Sequence, residues 1–582
     1  MLGTIFKIED NQVFIKLNVD ISNIQNLMNL FVIIQDSNTS FIGEIVNVDL
    51  TNATINLLGE YKNNSFIYGY IKKPSFTAKV NLIASEYIEK IINPNNLSLP
   101  IGKFPFYDNV TVNADLNKLF GSHIAIFGST GSGKSCGFAR IIQNLMLKDN
   151  LNENMNLIIF DAFGEYHNAF KYLNDTGKFA FKSYTSSNNG EEKFALPLWF
   201  LDVDDIALLL EVQKKSQLAI IEKALRNITL LKKNDEQVNK YKNSVIANAI
   251  LDILASGRPA SQIRDQVMSA LSKFNTADLN LDTIISQPGY NRTFRQCLII
   301  DDNNKINAIE LVTSFLQNFL VDDIITSLPD GTYTYTLEDL LDALDFALIS
   351  EGIWKSEKVF DDANVLKVRL TSLINSENKV YFEYPAYITK KGYIERLFHT
   401  NLGKKCQIVN FNIDNLNDRF AKTIVKIYAK LFFNYAKDLE VKATMPFNIF
   451  LEEAHRYVQN DNDIEILGYN IFERIAKEGR KYGVLLGLIS QRPNELSETC
   501  ISQCNNFLVY RITHPVDLDY ISKVIPDITY EMIERIKSVQ PGYALAFGSA
   551  FKMPLLAYID MPTPAPDSSS TKIDSIWFDN AI

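Results

Sequence analysis

The sequence predicts an α/β protein whose parallel sheet, of the nucleotide-binding type, is preceded by a small β-barrel and interrupted by an inserted helical bundle. Short β-rich stretches dominate residues 1–100, whereas strand-length apolar stretches alternate with amphipathic helical stretches in residues 101–198 and 396–560. Strands that alternate with helices indicate a parallel sheet. Residues 199–395 between these two parts have mostly helical periodicity, which predicts a separate bundle.

The first part of the chain contains six short β-rich stretches separated by polar turns. Strands of this length, with a turn about every ten residues, are typical of a small antiparallel barrel. Because no combination of catalytic side chains occurs here, we expect an assembly or docking module. The predicted strands are Thr4–Ile8, Gln12–Leu17, Leu30–Gln35, Phe41–Val48, Thr54–Leu58 and Ser65–Ile71.

A glycine-rich loop, GSTGSGKS, follows the apolar strand 124–127 and precedes a stretch with helical spacing. It matches G-x-x-x-x-G-K-[ST], whose glycines let successive backbone N–H groups point at phosphate oxygens. Lys134 is expected to reach the β- and γ-phosphates, and the Ser135 hydroxyl to hold Mg²⁺. A glycine-serine turn without a ligand is the alternative, but the flanking elements favour an ATPase. The predicted nucleotide-binding residues are Gly128, Ser129, Thr130, Gly131, Ser132, Gly133, Lys134, Ser135 and Cys136.

The inserted region is predicted to consist of amphipathic helices joined by short loops. One part carries several lysines and an arginine, for which a solvated surface is the simplest interpretation. The predicted helices are Asp202–Glu211, Lys215–Leu231, Gln237–Ala255, Ala260–Phe274, Ile306–Leu328 and Leu337–Ile349, with one more near 361–375.

Two adjacent carboxylates end the next apolar strand, in the segment FNIFLEEAH (447–455). ATP hydrolysis needs one carboxylate near Mg²⁺ and another that orients or deprotonates water. We expect Glu452 to take the first role and Glu453 the second. Acidic residues after a strand can also simply begin a helix, but the glycine-rich loop upstream favours catalysis. His455 either supports the carboxylates or packs in the interior.

Two further side chains follow in chain order. Gln491 ends the strand 484–489, where an amide could sense the γ-phosphate or hold the attacking water. Arg480 lies near the end of a predicted helix, 464–481. It either caps the helix end together with Gly483 or is an arginine finger that reaches the ATP site of a neighbouring subunit. Arg511 and Arg474 are further candidates for the finger.

Composition limits the class of protein. The 582 residues have room for about three or four domains, and 46% hydrophobic with 22% charged residues is ordinary globular composition. The net charge of −10 argues against a generally basic surface, although a groove can be locally basic. Five scattered cysteines, with no leader and no run of 18 apolar residues, predict a reduced, soluble, cytoplasmic protein without a membrane anchor.

Five motifs in this order resemble the HerA family of the HerA/FtsK superfamily. The resemblance covers about residues 1–570 and implies a RecA-like core, with residues 1–100 similar to the family's HAS-barrel and residues 561–582 to an extended tail that braces a neighbouring ATP pocket. It also implies a homohexameric ring that uses ATP and Mg²⁺ to translocate double-stranded DNA. The motifs are GSTGSGKS (128–135), FDAFGEY (160–166), LEEAH (451–455), EGRKYG (478–483) and SQRP (490–493).

The resemblance also assigns roles to single residues. It implies that Glu453 is the catalytic carboxylate, with Glu452 standing where relatives often have Asp. Asp161, in the D-x-x-G-E-Y stretch, would face the metal and water. Gln491 would be the sensor and Arg480 the finger that acts in trans.

The biological role is left open between two hypotheses. The first is a DNA translocase that serves as the motor of a nuclease or anti-phage defence complex, with the effector docked on the barrel. The second is an ATP-regulated ring scaffold that assembles and switches an effector, either a sirtuin-like NADase or a nuclease. Under the first hypothesis, basic side chains line a DNA channel, and the expected candidates are Lys171, Lys178, Lys182, Lys477 and Arg492.

Overall fold

The computed structural model describes residues 1–18, 27–37, 39–63, 65–94, 96–107, 110–148, 154–186, 192–232, 236–287, 289–321, 334–350, 357–526 and 528–567. The chain forms two compact units. One comprises residues 1–192, 394–461 and 469–582, and the other comprises residues 193–393 and 462–468. The predicted fold class, a mixed α/β protein with an N-terminal barrel and a largely parallel core sheet, is confirmed.

The N-terminal strands close into a six-stranded antiparallel barrel. Apolar side chains alternate along the strands, so that Ala53, Ile55 and Leu57 face the interior. The sheet has seven strands, of which all but β6 form the closed barrel. They are β1 (Gly3–Glu9), β2 (Gln12–Leu17), β3 (Phe31–Gln35), β4 (Ser40–Val48), β5 (Asn52–Lys62), β6 (Ser65–Tyr68) and β7 (Lys79–Leu82). The order β2-β1-β7-β3-β4-β5 closes because β5 also pairs with β2, and β6 extends the sheet from β5.

The barrel packs against the core within the same unit. Helix α1 (Ser85–Ile92) leads out of the barrel and buries three isoleucines. The Phe31 N–H donates to the Tyr107 hydroxyl over 2.8 Å, and the ring of Phe31 lies 5.6 Å from that of Phe104. Arg535 donates a hydrogen bond to Asn29 over 3.1 Å and pairs with the buried Glu44 at 2.5 Å. The barrel is therefore fixed to the core by apolar contacts and a charged pair.

A 12-stranded mixed sheet forms the core. Its strands are β8 (Ser98–Lys103), β9 (Thr111–Asp115), β10 (Ile124–Phe127), β11 (Asn156–Asp161), β12 (Phe181–Thr185), β13 (Glu192–Lys193), β16 (Ile408–Asn412), β17 (Phe447–Leu451), β18 (Val484–Ser490), β19 (Asn506–Val509), β20 (Tyr543–Gly548) and β21 (Leu555–Tyr558). Labels β14 and β15 belong to a hairpin in the second unit, β14 (Ile284–Gln287) and β15 (Tyr290–Thr293).

The central part of this sheet is parallel in the order β12-β16-β11-β17-β18-β10-β19, and antiparallel strands β20, β21, β8 and β9 continue it on one side. Parallel strands place their carboxyl ends at the same edge of a sheet, where ligands bind in this class of fold. The residues that follow β10, β11, β17 and β18 therefore meet there.

Helices flank the core sheet. The longest of them, α14 (Asp418–Lys437), is amphipathic and buries 13 side chains, which explains its length. The predicted helix 464–481 is wrong as a single element, because Gly468, with φ +85°, ends the first helix and a second begins at Ile471. The other helices are α2 (Leu116–Phe120), α3 (Lys134–Met146), α4 (Tyr166–Lys171), α16 (Ile471–Tyr482), α17 (Glu498–Ser502), α18 (Pro515–Val524) and α19 (Tyr530–Ser538).

The second unit is mostly helical. Its predicted helix over 306–328 corresponds to the shorter α10 (Ile309–Gln317), and residues 322–328 lie outside the described ranges. The β14–β15 hairpin was not predicted. The other helices are α5 (Val203–Leu209), α6 (Lys215–Lys232), α7 (Glu236–Leu254), α8 (Ala260–Lys273), α9 (Phe294–Cys297), α11 (Leu337–Ser350), α12 (Glu357–Ile374), α13 (Lys390–Leu397), which runs across the unit boundary, and α15 (Asp463–Leu467).

The cysteines and the apolar helices relate to what the composition predicted. All five cysteines lie in the described ranges, and none of them forms a disulfide. Within the described ranges, no helix combines the length and the apolar character that a membrane span requires.

Candidate nucleotide-binding site

The glycine-rich loop connects β10 to α3 in a shape suited to phosphate. Gly131 and Gly133 have φ of +71° and +103°, a region that glycine enters without strain. Helix α3 begins at Lys134 with Gly133 as its N-cap, so the unpaired N–H groups of its first turn open toward the loop. The Ser132 hydroxyl, in a residue only 1% exposed, has no hydrogen-bond partner among the described residues. The glycine conformations and the buried Ser132 hydroxyl, which has no partner among the described residues, suit a loop that binds an anion.

Gly137, in the first turns of α3, lies against the buried Tyr510. A Cβ at position 137 would lie 1.7 Å from the Tyr510 hydroxyl oxygen. We therefore expect Gly137→Ala to lower the free energy of unfolding by about 1–3 kcal/mol through overpacking, as measured by the thermal unfolding midpoint. Adding Tyr510→Phe should recover part of the loss, because the nearest remaining ring atom is 2.8 Å away.

Gly392 is the matched control for this substitution, since it lies in a helix and a Cβ added there would have no neighbour closer than 3.3 Å. Gly392→Ala should change stability by less than about 1 kcal/mol. A Gly137→Ala protein as stable as the wild type would show that α3 and Tyr510 separate at little cost.

Lys134 and Ser135 occupy the first turn of α3. The Lys134 ammonium is largely buried and donates to the Ser129 carbonyl over 3.3 Å. Burial lowers the pKa of Lys134, while the carboxylates of Glu453, Glu452 and Glu165 act in the opposite direction. The acidic neighbours favour the charged form of Lys134, and a partly desolvated ammonium beside the glycine-rich loop attracts a phosphate. Cys136 follows in the same turn and is half-buried.

Glu453 and Gln491 connect the ends of two strands to the glycine-rich loop. The Gln491 amide nitrogen donates to Glu453 Oε1 over 2.6 Å, and the Thr130 hydroxyl donates to Gln491 Oε1 over 2.5 Å. Glu453 has φ +47° and ψ +48°, a left-handed conformation that costs a non-glycine residue about 1–3 kcal/mol. Such strain is concentrated at functional sites. The Gln491 amide therefore bridges the phosphate loop and the predicted catalytic carboxylate.

His455 supports this carboxylate. Its Nδ1 lies 3.1 Å from Glu453 Oε2 and 3.1 Å from the Ser490 hydroxyl. Glu453 Oε2 is buried and makes no hydrogen bond of good geometry within the described residues. Of the two alternatives for His455, the contact favours support of the carboxylates over plain packing.

Glu452 is buried beside the turn that follows β11. Its carboxyl accepts the Ala162 N–H over 3.0 Å and is hydrogen-bonded to the Asp161 carboxyl. Burial, followed by the neighbouring charge of Asp161, raises the pKa of Glu452 well above its usual range. Because the Glu452 carboxyl is engaged by Ala162 and Asp161, it would have to leave these contacts to hold Mg²⁺ as predicted.

Asp161 ends β11 and organises the turn that follows. Its Oδ1 accepts the Glu165 N–H over 3.0 Å, and its Oδ2 accepts the Tyr166 N–H over 2.9 Å and the Asn410 amide over 3.3 Å. The resemblance implies that Asp161 faces the metal and water, whereas here both of its carboxylate oxygens accept hydrogen bonds from the protein.

Glu165, whose carboxyl is hydrogen-bonded to Ser135, was not identified from the sequence. Its only signal was the D-x-x-G-E-Y spacing.

Arg480 lies away from this site in its own chain. It is exposed near the end of α16, just before β18 begins, whereas Gln491 directly follows the end of β18. The seven residues of β18 span about 20 Å at roughly 3.3 Å per residue. Arg480 and the glycine-rich loop therefore lie at opposite edges of the sheet.

The two other candidate arginines lie elsewhere. The Arg511 carbonyl accepts the Ser129 N–H over 2.8 Å, so Arg511 adjoins its own glycine-rich loop. Arg474 lies 3.9 Å from Glu478 one helical turn away and stacks near the rings of Phe433 and Tyr469.

The described part of the tail contacts its own chain. The Thr563 N–H donates to Gln143 Oε1 over 2.9 Å, and the Gln143 amide donates to the Pro564 carbonyl over 2.8 Å. The Asp567 N–H then donates to the Glu165 carbonyl over 2.9 Å. Residues 562–567 thus pack beside α3 and the Glu165 turn, and residues 568–582 lie outside the described ranges.

The fold and the site define a P-loop nucleotide-binding protein. A family model described as "Helicase HerA, central domain" matches residues 99–326. The DNA double-strand break repair helicase HerA of Pyrococcus furiosus is 23% identical over 513 residues, which cover 87% of this chain and 77% of that protein. A probable DNA double-strand break repair helicase HerA of Methanocaldococcus jannaschii is 23% identical over 498 residues, or 83% and 80% of the two chains. The chain is thus similar to HerA proteins over most of its length.

Among solved structures, VirB4 of Thermoanaerobacter pseudethanolicus is similar with a TM-score of 0.46 and 12% identity, over 81% of this chain and 97% of that one.

Proposed function

We propose that the protein is an ATP-driven double-stranded DNA translocase that works as a homohexameric ring. The observation that carries the ATPase part is the Gln491 bridge, which joins Thr130 of the phosphate loop to Glu453 at the end of the neighbouring strand. The DNA part is supported by the relatives of similar length that are named as DNA double-strand break repair helicases.

Each side chain of the site has a role in this proposal. The loop N–H groups and Lys134 bind the phosphates, and Ser135 would hold Mg²⁺, which neutralises phosphate charge when it is bound. Glu453 orients the attacking water and accepts its proton, and Gln491 holds that water or senses the γ-phosphate. Among the described residues, no three His, Cys, Asp or Glu side chains could hold a metal alone. Mg²⁺ usually binds through one or two carboxylates together with substrate phosphates.

The position of Arg480 supports the proposed ring. An arginine finger stabilises the charge on the transferred phosphoryl group, yet Arg480 is separated from its own phosphate loop by the length of β18. The Arg480 of an adjacent copy would complete the site. Head-to-tail contacts of this kind close into rings when the rotation permits.

The test is DNA-dependent motor activity of the purified full chain. Duplex DNA should stimulate ATP hydrolysis, and the protein should displace a third strand from a triplex when ATP is supplied. Mass photometry with ATP and duplex DNA should show six copies. A monomer under every condition, or hydrolysis that duplex DNA leaves unchanged, would contradict the proposal.

Two exposed lysines in and after α4 are proposed as DNA contacts. Lys171 and Lys178 are both exposed. We expect Lys171→Glu with Lys178→Glu to weaken duplex DNA binding and flatten its salt dependence, because fewer counterions are released. Basal ATP hydrolysis should be unchanged. Fluorescence anisotropy at several salt concentrations measures the effect, and unchanged affinity would contradict the assignment.

A matched control changes two exposed barrel lysines, Lys16 and Lys79, to Glu. This control alters net charge equally, so it separates a local contact from a general charge effect.

Lys182 is a poorer candidate for DNA contact than the sequence suggested. Its side chain is only 10% exposed, lies 3.3 Å from Glu192, and donates to the His399 carbonyl over 3.1 Å.

An effector protein is proposed to dock on the barrel, whether the ring acts as a motor or as an ATP-regulated scaffold. In the described part of the barrel, β6 pairs only with β5. Ile67 in β6 is 57% exposed, and Ile71 shortly after β6 is 90% exposed. A sheet edge flanked by exposed apolar side chains suits pairing with another protein. Only a scaffold would keep effector activity when hydrolysis is abolished, so effector activity with Glu453→Gln distinguishes the two.

A further inference from the structure

The turn after β11 places a third carboxylate beside the serine of the phosphate loop. Asp161 fixes this turn through the N–H groups of Glu165 and Tyr166. Gly164, inside the turn, has φ +71°, and a Cβ there would lie 2.7 Å from the Asn412 amide nitrogen. The turn therefore requires glycine and holds Glu165 in one position.

The side chain of Glu165 faces the phosphate-binding elements. Its carboxyl is hydrogen-bonded to the Ser135 hydroxyl and interacts electrostatically with Lys134 and Glu453. Glu165 Oε2 is buried and has no hydrogen-bond partner among the described residues. Burial raises the pKa of Glu165, and the nearby charges of Asp161 and Glu453 add to this.

The neighbouring groups also carry buried polar atoms that a ligand could satisfy. Ser132 and Glu453 are 1% and 7% exposed, and each has an oxygen without a hydrogen bond in the described part of the chain. Buried polar atoms are rarely left unsatisfied in folded proteins. Three such oxygens around one phosphate loop indicate groups that a bound ligand and its water would satisfy.

Among the described carboxyls after β11 and β17, those of Glu165 and Glu453 each have an unused oxygen, and that of Glu165 is hydrogen-bonded to Ser135. Both oxygens of Asp161 accept hydrogen bonds from the protein. The Glu452 carboxyl is hydrogen-bonded to Ala162 and Asp161. The turn thus separates two tasks: Asp161 holds the backbone, and Glu165 presents a carboxylate.

We propose that Glu165 binds the hydrated Mg²⁺ that accompanies the nucleotide, accepting a hydrogen bond from its water next to Ser135, and that Asp161 is a positioning residue. This inference rests on the proposed ATPase function. Outer partners of this kind typically change metal affinity by roughly 10- to 100-fold. Without Mg²⁺, the same carboxylate repels the phosphates, because like charges lie close together in a partly buried site.

The two effects have opposite signs, which makes the test specific. Binding of a fluorescent ATP analogue, mant-ATP, is measured in the full chain carrying Glu453→Gln, so that hydrolysis does not interfere. Adding Glu165→Gln should raise the Mg²⁺ concentration needed for half-maximal binding by about 10-fold or more. In EDTA, the same substitution should leave mant-ATP binding unchanged or make it tighter.

Glu86→Gln is the matched control, because Glu86 is exposed on α1, far along the chain from the phosphate loop. It should change neither titration. An unchanged Mg²⁺ midpoint with Glu165→Gln would overturn the inference. Equal weakening with Mg²⁺ and in EDTA would also overturn it, since that result means a purely structural role.

The Asp161→Asn variant tests the division of tasks. Loss of the charged acceptor should weaken the turn and reduce binding both with Mg²⁺ and in EDTA, unlike Glu165→Gln. If Asp161→Asn alone shifts the Mg²⁺ midpoint, the two roles are exchanged and the inference is wrong. A separate outcome would contradict the proposed ATPase function itself. In that outcome, the Glu453→Gln parent does not bind mant-ATP even with Mg²⁺, and the wild type neither binds nor hydrolyses ATP.

Discussion

Glu453→Gln should reduce ATP hydrolysis by at least about 100-fold, the usual minimum loss when a general base is removed, while ATP binding is retained. The amide has nearly the same size and can still accept the hydrogen bond that Gln491 donates over 2.6 Å. It cannot accept a proton from water. The left-handed backbone at position 453 is as accessible to Gln as to Glu, so the fold should be kept. Phosphate release and mant-ATP binding measure the two effects separately.

Glu86→Gln serves again as the control for this substitution, and it should hydrolyse ATP like the wild type. Hydrolysis by Glu453→Gln at a wild-type rate would refute the catalytic assignment. Loss of both binding and hydrolysis would instead show that the carboxylate supports the phosphate loop through Gln491 and Thr130.

The meeting of the main site residues was predictable because it follows from parallel strands. The sequence shows apolar strands that end at the glycine-rich loop, at Glu452 and at Gln491. Once these strands lie side by side in parallel, their carboxyl ends share one edge, and the order β17-β18-β10 places them next to each other. This rule alone is enough to predict that Gln491 lies near the glycine-rich loop.

The choice between carboxylates was not predictable in the same way. Asp161 and Glu165 belong to one short motif, and either could face the phosphate loop. The structure separates them through backbone conformation: Gly164 turns the chain at φ +71°, and Asp161 is consumed by the N–H groups of that turn. Patterns of residue type do not show which oxygen a backbone amide occupies.

The local sequence pattern gave the wrong secondary structure at one further place and missed a strand at another. Residues 464–481 have continuous helical periodicity, yet Gly468 adopts φ +85° and divides them into α15 and α16. Strand β7 is only four residues long and has one buried side chain, so its sequence carries too little alternation to predict it. Its place in the barrel between β1 and β3 is decided by pairing partners distant in sequence.

Arg480→Ala should reduce ATP hydrolysis by roughly 1,000-fold, the lower end of what an arginine finger contributes, with mant-ATP binding retained. The exposed neighbour Lys481 is the matched control, because Lys481→Ala removes a cation from the same helix end. If both substitutions have equally small effects, Arg480 and Lys481 merely cap α16, which is the alternative interpretation of this stretch.

Mixing two inactive variants tests whether Arg480 acts between subunits. Lys134→Ala removes phosphate binding but keeps Arg480, whereas Arg480→Ala keeps the phosphate loop. In randomly mixed rings, about a quarter of the head-to-tail interfaces pair an intact loop with an intact finger. Hydrolysis should therefore reappear on mixing, although each protein alone is inactive. A finger that acts within its own chain predicts no recovery, and that outcome would contradict the separation of Arg480 from its own site along β18.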